Sequence, residues 1–403
     1  MEINECVKEC LSCPQPRCET GCPVHNEICS FIKCLKEEDL DAASIILYNV
    51  NTFPELTSRL CDCDRQCQGH CVKGIKSNPV QIQRIERYIS DHRKFPYKPL
   101  PSNGKKIALI GAGVACLSAA IRLRENGYEV DVYEQYDQIG GAIYSGIPSY
   151  RFDKSILNTI QNNLEDMNVT FYFHQQVGKD ITLEELLEKY DRILIGIGAQ
   201  VENKYGLEGN GYLAGLSLLY DLNVKEMHFT YKEKYHHAIV WGGGNVAMDC
   251  ARSLIRIMDD VTVLYRRSEK EMPANQSEIQ DAKNEGVKFA LLENIQSLNL
   301  DEEGNVIGAR CVKMELGEPD ESGRRSPHVI EGSEYDIPCD LVVAAIGQKV
   351  DLSPLGEISI QKTHETSIPN VYLAGDAYLG PGTVASAIRD GQDCAKEIMD
   401  SFE

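Results

Sequence analysis

The sequence predicts an α/β protein in which two dinucleotide-binding domains are nested in one another and follow a helical, cysteine-rich segment. Three observations lead to this prediction. A strand–glycine–helix–strand pattern runs from Lys106 to Glu134, a second copy begins about 131 residues later, and eleven of the 16 cysteines lie before residue 72. The composition agrees, because 42% of the 403 residues are hydrophobic, which suffices for the cores of two or three domains.

The net charge and the distribution of apolar residues indicate which partners and which compartment to expect for this protein. A net charge of −20 argues against nucleic acid or an anionic membrane as a partner, because both require a basic face. The chain has no 18-residue apolar run, and its first residues, MEINECVKEC, lack the apolar core of a signal peptide. We therefore expect a soluble, cytoplasmic protein.

The early cysteines predict an iron–sulfur domain over residues 1–95. Such crowding in a cytosolic chain indicates metal chemistry rather than a disulfide framework. The first set is a close variant of the bacterial ferredoxin run, and the second follows after a helical pattern over residues 28–47. Two sets suit two [4Fe–4S] clusters held by both segments. The sets are Cys10-x2-Cys13-x4-Cys18-x3-Cys22-Pro23 and Cys61-x5-Cys67-x3-Cys71.

Structural zinc is the alternative for this segment. Zinc favours paired C-x2-C knuckles, and only Cys10 and Cys13 form one. Cys63 could compete with Cys61 as a ligand. The cysteines interpreted as bystanders are Cys6, Cys29, Cys34 and Cys63.

The first glycine pattern predicts the start of an FAD-binding domain. It follows a linker over residues 93–104, which contains three prolines and shows no periodicity. Gly111 and Gly113 let the backbone approach a pyrophosphate at a helix N-terminus, and Glu134 can accept both hydroxyls of an adenosine ribose. The third glycine position, which usually serves close helix–strand packing, holds Cys116.

Two later segments are assigned to the same FAD site. Gly140 and Gly141 allow the chain to run close to the cofactor diphosphate, although an ordinary loop is the alternative. Gly375 and Asp376 end a strand, and Thr383 leads into the last helical pattern. An acid at this place fits contact with ribityl and phosphate groups, or else serves as a helix cap.

The repeat predicts a second nucleotide-binding domain. It ends on Arg266 and Arg267 where the first copy ends on an acid. Guanidinium groups pair with a 2′-phosphate, so NADPH is favoured over NADH; a solvated basic strand end is the alternative. The glycine turn and helix start assigned to this cofactor are Gly242, Gly243, Gly244, Asn245 and Val246.

Nesting of the two copies sets the predicted domain bounds. Buried strands are expected at 191–199 and at 340–347, both in the FAD-binding domain. This domain therefore occupies residues 104–200 and 336–403, and the NAD(P)H-binding domain occupies residues 201–335 between them. The arrangement is that of two-dinucleotide-binding flavoproteins.

With these motifs in place, the chain resembles the glutamate synthase small (beta) subunit family of NADPH-dependent FAD/iron–sulfur oxidoreductases, which is related to the N-terminal half of dihydropyrimidine dehydrogenase. The resemblance covers essentially the whole chain. Departures from the family pattern occur at Val114 and Cys116, where Pro and Gly are usual, and at Asp62, where Pro is usual. The matching segments beyond the cysteine sets include Phe53-Pro54-Glu55, Gly242 to Asp249, Tyr265-Arg266-Arg267, Met272-Pro273 and Ala374-Gly375-Asp376.

The resemblance implies ligand sets for the two clusters. The second set includes a carboxylate on the helix after the cysteines, and a solvated helix glutamate is the alternative interpretation of that residue. The first cluster is assigned to Cys10, Cys13, Cys18 and Cys71, and the second to Cys22, Cys61, Cys67 and Glu86.

The resemblance also implies an electron-transfer enzyme that needs a partner. NADPH would reduce FAD, and the clusters would relay electrons to a flavin-containing partner subunit in a hetero-oligomer, most simply as a glutamate synthase small subunit. No catalytic acid or base is predicted. Alternatives are the electron-input subunit of a dihydropyrimidine dehydrogenase or of a bifurcating NADH/NADPH-ferredoxin transhydrogenase. Non-enzymatic alternatives are an inactive flavin-bearing scaffold and a zinc-binding interaction module.

Overall fold

A computed structural model describes residues 3–93, 95–321 and 323–403. The chain divides into two units. The first unit contains the chain up to Gly141, the segment Phe152–Gln200 and the chain from Val350 onward. The second unit contains Ala142–Arg151 and Val201–Lys349.

The described residues form sixteen α-helices and sixteen β-strands. The helices are α1 Ile3–Lys8, α2 Arg17–Thr20, α3 Ile28–Lys36, α4 Leu40–Val50, α5 Pro54–Leu60, α6 Ile82–His92, α7 Val114–Glu125, α8 Ala142–Ser145, α9 Ser155–Asp166, α10 Leu183–Leu187, α11 Gly215–Asn223, α12 His228–Lys234, α13 Asn245–Ile255, α14 Gln276–Asn284, α15 Asp376–Leu379 and α16 Val384–Asp400. The strands are β1 Lys106–Ile110, β2 Glu129–Tyr133, β3 Val169–Tyr172, β4 Arg192–Ile195, β5 Val201–Glu202, β6 Tyr212–Ala214, β7 His237–Trp241, β8 Asp260–Tyr265, β9 Lys288–Leu291, β10 Glu293–Leu300, β11 Val306–Pro319, β12 Arg325–Val329, β13 Tyr335–Pro338, β14 Leu341–Ala344, β15 Gln348–Lys349 and β16 Val371–Leu373.

The first unit contains a five-stranded parallel sheet in the order β16-β4-β1-β2-β3. The central strand β1 buries four consecutive residues, Ile107 to Ile110, as expected of a strand covered on both faces. Strand β1 runs into the first glycine turn, α7 and β2. This confirms the predicted βαβ unit and places the predicted strand at 191–199 beside it, as β4.

The second unit contains a parallel sheet in the order β6-β14-β7-β8-β9. Strand β7 leads through the second glycine turn into α13 and β8, which confirms the predicted repeat. Strands β10 to β13 form a separate antiparallel sheet around the long strand β11, which the sequence analysis did not predict.

Two of the predicted domain bounds are wrong. Strand β14 was assigned to the FAD-binding domain, yet it pairs with β6 and β7 of the second sheet. The second unit consequently extends to Lys349 rather than to residue 335, and it also contains Ala142–Arg151. An all-apolar strand such as β14 suits either parallel sheet, so its sequence carries no information on which sheet it joins.

The cysteine-rich segment folds as α1 to α6 within the first unit. Its core is built by α3, which buries Phe31 and Ile32, and by α6, which buries Ile85 and Ile89. The predicted helical pattern over residues 28–47 is two helices, because the chain turns at Glu38 (φ 60°) and restarts where the Asp39 side chain accepts a hydrogen bond from Ala42 N.

Polar contacts join this segment to the first sheet's helices. The hydroxyl oxygens of Thr52 and Ser118 lie 2.7 Å apart, and Gln392 Nε2 donates to Val50 O at 3.1 Å. Ser118 belongs to α7 and Gln392 to α16, so the cysteine-rich segment packs on the two helices that begin at the predicted FAD site. In the described part of the chain, no helix is long and apolar enough to cross a membrane.

Candidate functional site

The first glycine turn has the geometry of a dinucleotide-binding site. Gly111 has a φ of 95°, and a Cβ atom there would lie 2.8 Å from the Gly196 carbonyl oxygen, so only glycine fits. Gly113 precedes the first turn of α7. Glu134 is buried at the end of β2, and its carboxylate accepts hydrogen bonds from Ala112 N (2.7 Å) and Tyr136 N (2.9 Å). This fixes an acceptor beside the turn, as ribose recognition requires.

The pKa of Glu134 reflects its position. Burial raises the pKa of this carboxyl, while hydrogen bonds from the backbone N–H groups of Ala112 and Tyr136 oppose the rise. A carboxylate has about four lone-pair sites, so the two backbone bonds leave acceptor capacity for ribose hydroxyls.

Cys116 fits the third glycine position because room is made on the neighbouring strand. Its side chain is fully buried, and a Cβ atom at Gly196 would lie 2.4 Å from Cys116 Sγ. The thiol is 3.7 Å from Ile110 O, within reach of a weak hydrogen bond. The departure from the family pattern is therefore compensated by the absence of a side chain just after β4.

The second glycine pair lies against the first turn. Gly140 N donates to Ala112 O at 2.8 Å. A Cβ atom at Gly141 would approach Gly113 Cα to 3.2 Å. The structure therefore brings the two predicted glycine pairs together at one end of the first sheet, where a diphosphate would bind.

The third predicted part of this site lies at the end of β16. Gly375 packs on Ala115 in the first turn of α7. Asp376 Oδ1 accepts from Gly382 N at 3.1 Å, and burial raises the pKa of this carboxyl. Thr383 caps α16 by accepting from Ser386 N at 3.1 Å. Because Gly375 contacts Ala115, this third part of the predicted site lies next to the first glycine turn.

A buried histidine that the sequence analysis missed supports this turn. His364 Nε2 lies 3.1 Å from Asp390 Oδ1, and Asp390 Oδ2 accepts from Gly375 N at 2.6 Å. The other ring nitrogen lies 2.9 Å from Glu397 Oε1. Burial disfavours the charged imidazole, but the bonds to Asp390 and Glu397 outweigh burial and raise the pKa of His364. No local sequence signal marks this histidine, because its partners come from α16.

The second glycine turn is equally tight. A Cβ atom at Gly242 would lie 2.2 Å from Ala345 O, and one at Gly243 would lie 2.7 Å from the Tyr265 ring. Gly244 precedes α13 and leaves its N-terminus open to an anion. Asn245 is exposed in the first helical turn, where its Oδ1 accepts from Asn275 N at 2.9 Å, and Val246 beside it is half-buried.

The two predicted phosphate-binding arginines have different surroundings. Arg266 is exposed directly after β8. Arg267 is buried, with Nη2 2.7 Å from Asp320 Oδ2 and Nε donating to Arg325 O at 2.7 Å. The guanidinium of Arg267 is therefore engaged by residues of the antiparallel sheet and the turn beside it. Arg266 is the arginine available to a 2′-phosphate.

A buried charge network, also missed by the sequence analysis, surrounds α13. Arg151 Nη1 lies 2.6 Å from Asp249 Oδ1, and Arg151 Nε lies 2.9 Å from Glu278 Oε1. Burial raises the pKa of Asp249 to about 6, although Arg151 opposes the rise. Arg252 continues the network to Glu285 at 2.7 Å. These pairs tie the segment Ala142–Arg151 to the helix of the second glycine turn.

The predicted cluster ligands line two cavities in the first unit. Thiolate is the natural donor for iron–sulfur clusters, so the residues present fit two such groups. Within the described ranges, no three His, Cys, Asp or Glu side chains converge on a single-ion site. The first cavity contains Cys10, Cys13, Cys18 and Cys71, and the second contains Cys22, Cys61, Cys67 and Glu86.

Glu86 is a buried residue rather than a solvated helix glutamate. Its carboxylate accepts from Asn51 Nδ2 at 3.1 Å and from the Thr57 hydroxyl. Burial raises its pKa to about 7, and hydrogen bonds from Thr57, Asn26 and Asn51 oppose the rise. Its position at the second cavity is the one that the family pattern implies for the fourth ligand.

Two cysteines that were interpreted as bystanders also line these cavities. Cys29 lies in the first cavity, where burial and the nearby Cys10 raise the pKa of its thiol to about 11. Cys63 lies in the second cavity. Cys6 is buried in the helical core, and Cys34 is half-buried near the end of α3. Spacing alone did not separate these four, because helical packing decides which thiols face a cavity.

Two models of known protein families match this chain. The model described as "pyridine nucleotide-disulphide oxidoreductase" matches residues 105–391. The chain belongs to this family. A second model, "dihydropyrimidine dehydrogenase domain II, 4Fe-4S cluster", matches residues 2–95. Within the pyridine nucleotide-disulphide oxidoreductases, the chain therefore belongs to the members that carry an N-terminal iron–sulfur domain.

Curated relatives show to which members of the family this chain is similar. The chain is 34% identical to the NADPH glutamate synthase small chain of Escherichia coli, covering 98% of this chain and 90% of that one. It is 36% identical to the NADP(+)-dependent formate dehydrogenase subunit beta of Moorella thermoacetica, of which it spans 59%. This pyridine nucleotide-disulphide oxidoreductase is thus a member of the glutamate synthase small chain group.

Solved structures agree on the fold. FprA of Mycobacterium tuberculosis in complex with NADPH superposes with a TM-score of 0.65 at 20% identity, over 75% of this chain and 85% of that one. Thioredoxin reductase of T. acidophilum superposes with a TM-score of 0.53 over 74% of this chain and the whole of that one. The two-dinucleotide-binding fold is confirmed.

These findings confirm the enzyme class and its cofactors. The protein is an NADPH-dependent FAD/iron–sulfur oxidoreductase of the glutamate synthase type. The assignment of individual residues to FAD, NADPH and the clusters remains a prediction that the geometry supports, as does the number of clusters.

Proposed function

We propose that this protein is the electron-input subunit of a glutamate synthase, delivering electrons from NADPH to a larger partner subunit that forms glutamate from glutamine and 2-oxoglutarate. The observation that carries the proposal is the length of the match: the chain spans 90% of the E. coli small chain but 59% of the formate dehydrogenase subunit. A partner is part of the proposal, because the sequence contains no predicted site for glutamine hydrolysis.

The second unit would bind NADPH. Its glycine turn presents the N-terminus of α13 to the pyrophosphate, and Arg266 would pair with the 2′-phosphate. Arg267 would act indirectly, because its bonds to Asp320 and to the Arg325 carbonyl hold the strand end on which Arg266 stands.

The first unit would bind FAD. Gly111 and Gly113 admit the diphosphate, Glu134 accepts ribose hydroxyls, and the Gly375–Asp376 turn lies against the same helix start. When bound there, FAD would supply a hydride acceptor for NADPH, and the clusters held by the cysteines would supply one-electron carriers. The residues of this unit would position FAD and would exclude water from its site. None of them is required as a general acid or base.

The two cavities would hold the clusters in a defined order. The second cavity is lined by Ala385, two residues after Thr383 at the start of α16. This helix start belongs to the predicted FAD site, so the second cavity adjoins that site within one unit. The first cavity is lined by residues between Cys10 and Cys18, by α3 and by residues from Cys71 onward, and it includes the exposed Leu11. We therefore assign the second cluster to the flavin side and the first cluster to the partner side.

An anaerobic titration tests the proposal. The purified protein is titrated with NADPH and then NADH while visible absorbance and EPR are recorded, and iron and zinc are counted on the same sample. We expect flavin bleaching by NADPH, a cluster signal and about eight irons per chain, as two four-iron clusters require. Zinc in place of iron, or flavin that is not reduced, would contradict the relay.

A reconstitution experiment tests the identity of the partner. With a glutamate synthase large subunit, glutamine and 2-oxoglutarate, NADPH oxidation should become coupled to the formation of two glutamates. A formate dehydrogenase catalytic subunit is the matched comparison, because a formate dehydrogenase subunit is also among the relatives. Formate-dependent reduction of NADP⁺, without coupling of NADPH oxidation to glutamate formation, would refute the glutamate synthase assignment while leaving an electron-transfer role between NADP(H) and a partner intact.

A further inference from the structure

A fifth cysteine lies in the cavity assigned to the first cluster. We propose that Cys29 is a reserve ligand, which binds iron in place of Cys10 when the Cys10 thiol is lost. The inference rests on the iron–sulfur assignment of the N-terminal domain and concerns a residue outside both ligand sets that the family pattern implies.

The composition of the cavity carries the proposal. A [4Fe–4S] cluster takes four ligands from the protein, but five cysteines line this cavity. Cys29 lines the cavity together with all four assigned ligands, Cys10, Cys13, Cys18 and Cys71. The extra thiol therefore shares one cavity with the ligands of the first cluster.

The helix α3 holds Cys29 and the Cys10 loop in a fixed relation. Cys29 is the second residue of α3, and its N–H donates to Glu19 Oε1 at 2.9 Å. Lys36, the last residue of α3, donates through Nζ to Cys10 O at 2.6 Å and to Ser12 Oγ at 3.1 Å. Cys29 therefore lies on the helix that also holds the backbone at Cys10, and both residues line the same cavity.

The proposed exchange is a ligand substitution without redox change. The Cys29 thiol gives its proton to solvent and forms a sulfur–iron bond, and the iron keeps its oxidation state. In the native protein the same iron is bound by Cys10. If the Cys10–iron bond breaks, the released thiolate takes up a proton from solvent, so atoms and charges balance.

Iron counting on cysteine variants tests the proposal. The set consists of Cys10→Ala, Cys29→Ala, the double variant and Cys71→Ala, with Cys34→Ala on the same helix as the matched control. Each protein is purified anaerobically and assayed for iron, for the EPR signal of the reduced clusters and for FAD content, which reports whether the first unit is folded. Where Cys10→Ala loses FAD, Cys10→Val replaces it, because valine keeps the approximate size of the side chain and has no atom that can bind iron.

The expected pattern distinguishes a reserve ligand from a bystander. Cys10→Ala, Cys29→Ala and Cys34→Ala should each keep about eight irons, whereas the double variant and Cys71→Ala should keep about four. Loss of four irons from Cys10→Ala alone would overturn the proposal, as would retention of all iron by the double variant. Retention of all iron by Cys71→Ala would overturn the ligand set on which the proposal stands. Electron transfer to a partner plays no part in these readouts, so they separate this inference from the proposed function.

Discussion

The contact between Cys116 and Gly196 shows how one residue of the first glycine turn depends on another far away in sequence. The cysteine occupies a position that usually holds glycine, and its sulfur fills the space that a side chain at Gly196 would need. Gly196 does not have a positive φ, so its backbone would accept alanine and only space prevents the substitution.

This contact predicts the behaviour of a double mutant. Gly196→Ala should lower the free energy of unfolding by about 1–3 kcal/mol, because a new Cβ would lie 2.4 Å from Cys116 Sγ. Adding Cys116→Ala should restore most of the loss, since the two Cβ atoms would then lie at an ordinary 3.7 Å. Urea unfolding and FAD content of both single variants and the double variant measure this coupling. Additive losses would show that the contact is not what excludes alanine.

The two neighbouring arginines predict different mutant phenotypes. Arg266→Gln should raise KM for NADPH about 10- to 100-fold and leave KM for NADH nearly unchanged, because a charged hydrogen bond to phosphate is worth about 1.5–3 kcal/mol. Arg267→Gln should instead lower Tm, because its buried bonds to Asp320 and Arg325 are lost. Steady-state kinetics with an artificial acceptor measure KM and thermal unfolding measures Tm, and Lys313→Gln on β11 controls for charge. Equal losses with NADPH and NADH would refute the phosphate role of Arg266.

At the scale of elements, the turn between β16 and α15 is held by side chains from α16. Asp390 accepts the Gly375 N–H and also pairs with His364, which Glu397 contacts from the other side. The turn that carries Asp376 therefore depends on a helix whose own N-terminus belongs to the same predicted cofactor site. A change in this network should alter FAD binding and stability together.

The raised pKa of His364 gives this network a pH dependence of known sign. Because the folded pKa lies above the ordinary value of 6.5, the charged imidazole stabilises the fold fully below about pH 6.5 and loses this contribution as the pH rises through the folded value. His364→Gln should thus cost on the order of 1 kcal/mol at pH 6 and less at alkaline pH. Denaturant unfolding at several pH values measures it, with the exposed His228→Gln as control. A cost that grows with pH would contradict this sign.

At the scale of the whole molecule, the cysteine-rich segment and the first sheet form one unit. Thr52 and Gln392 link the segment to α7 and α16, the helices that begin at the predicted FAD site. Two thiol-lined cavities within a small helical core leave that core dependent on the groups that fill them.

Iron removal should consequently loosen one region and spare another. Chelation under anaerobic reducing conditions is expected to speed hydrogen exchange in α1 to α6 by at least tenfold, while β7 and β8 of the second unit stay protected. Hydrogen–deuterium exchange with mass spectrometry measures both regions in one experiment, so the second unit is the internal control. Equal loosening of both regions would show that the clusters are not local to the cysteine-rich segment.

Features that depend on a local pattern of residues could be predicted without the structure. The glycine turns at Gly111 and Gly242 each follow an apolar strand and precede an amphipathic helix, so their spacing alone predicts a nucleotide-binding βαβ unit. The crowding of cysteines before residue 72 likewise indicates metal binding wherever the chain folds. These inferences hold because both the ligand chemistry and the strand–helix period are written in neighbouring residues.

Contacts between residues far apart in the chain became known from the structure alone. It placed β14 in the second sheet, buried Arg267 against Asp320, made room for Cys116 at Gly196 and brought Cys29 into the first cavity. Each of these outcomes depends on packing between segments far apart in the chain. An apolar strand, an arginine or a cysteine has the same local pattern whether it faces a cavity, a partner or solvent, so the contact and not the pattern assigns its role.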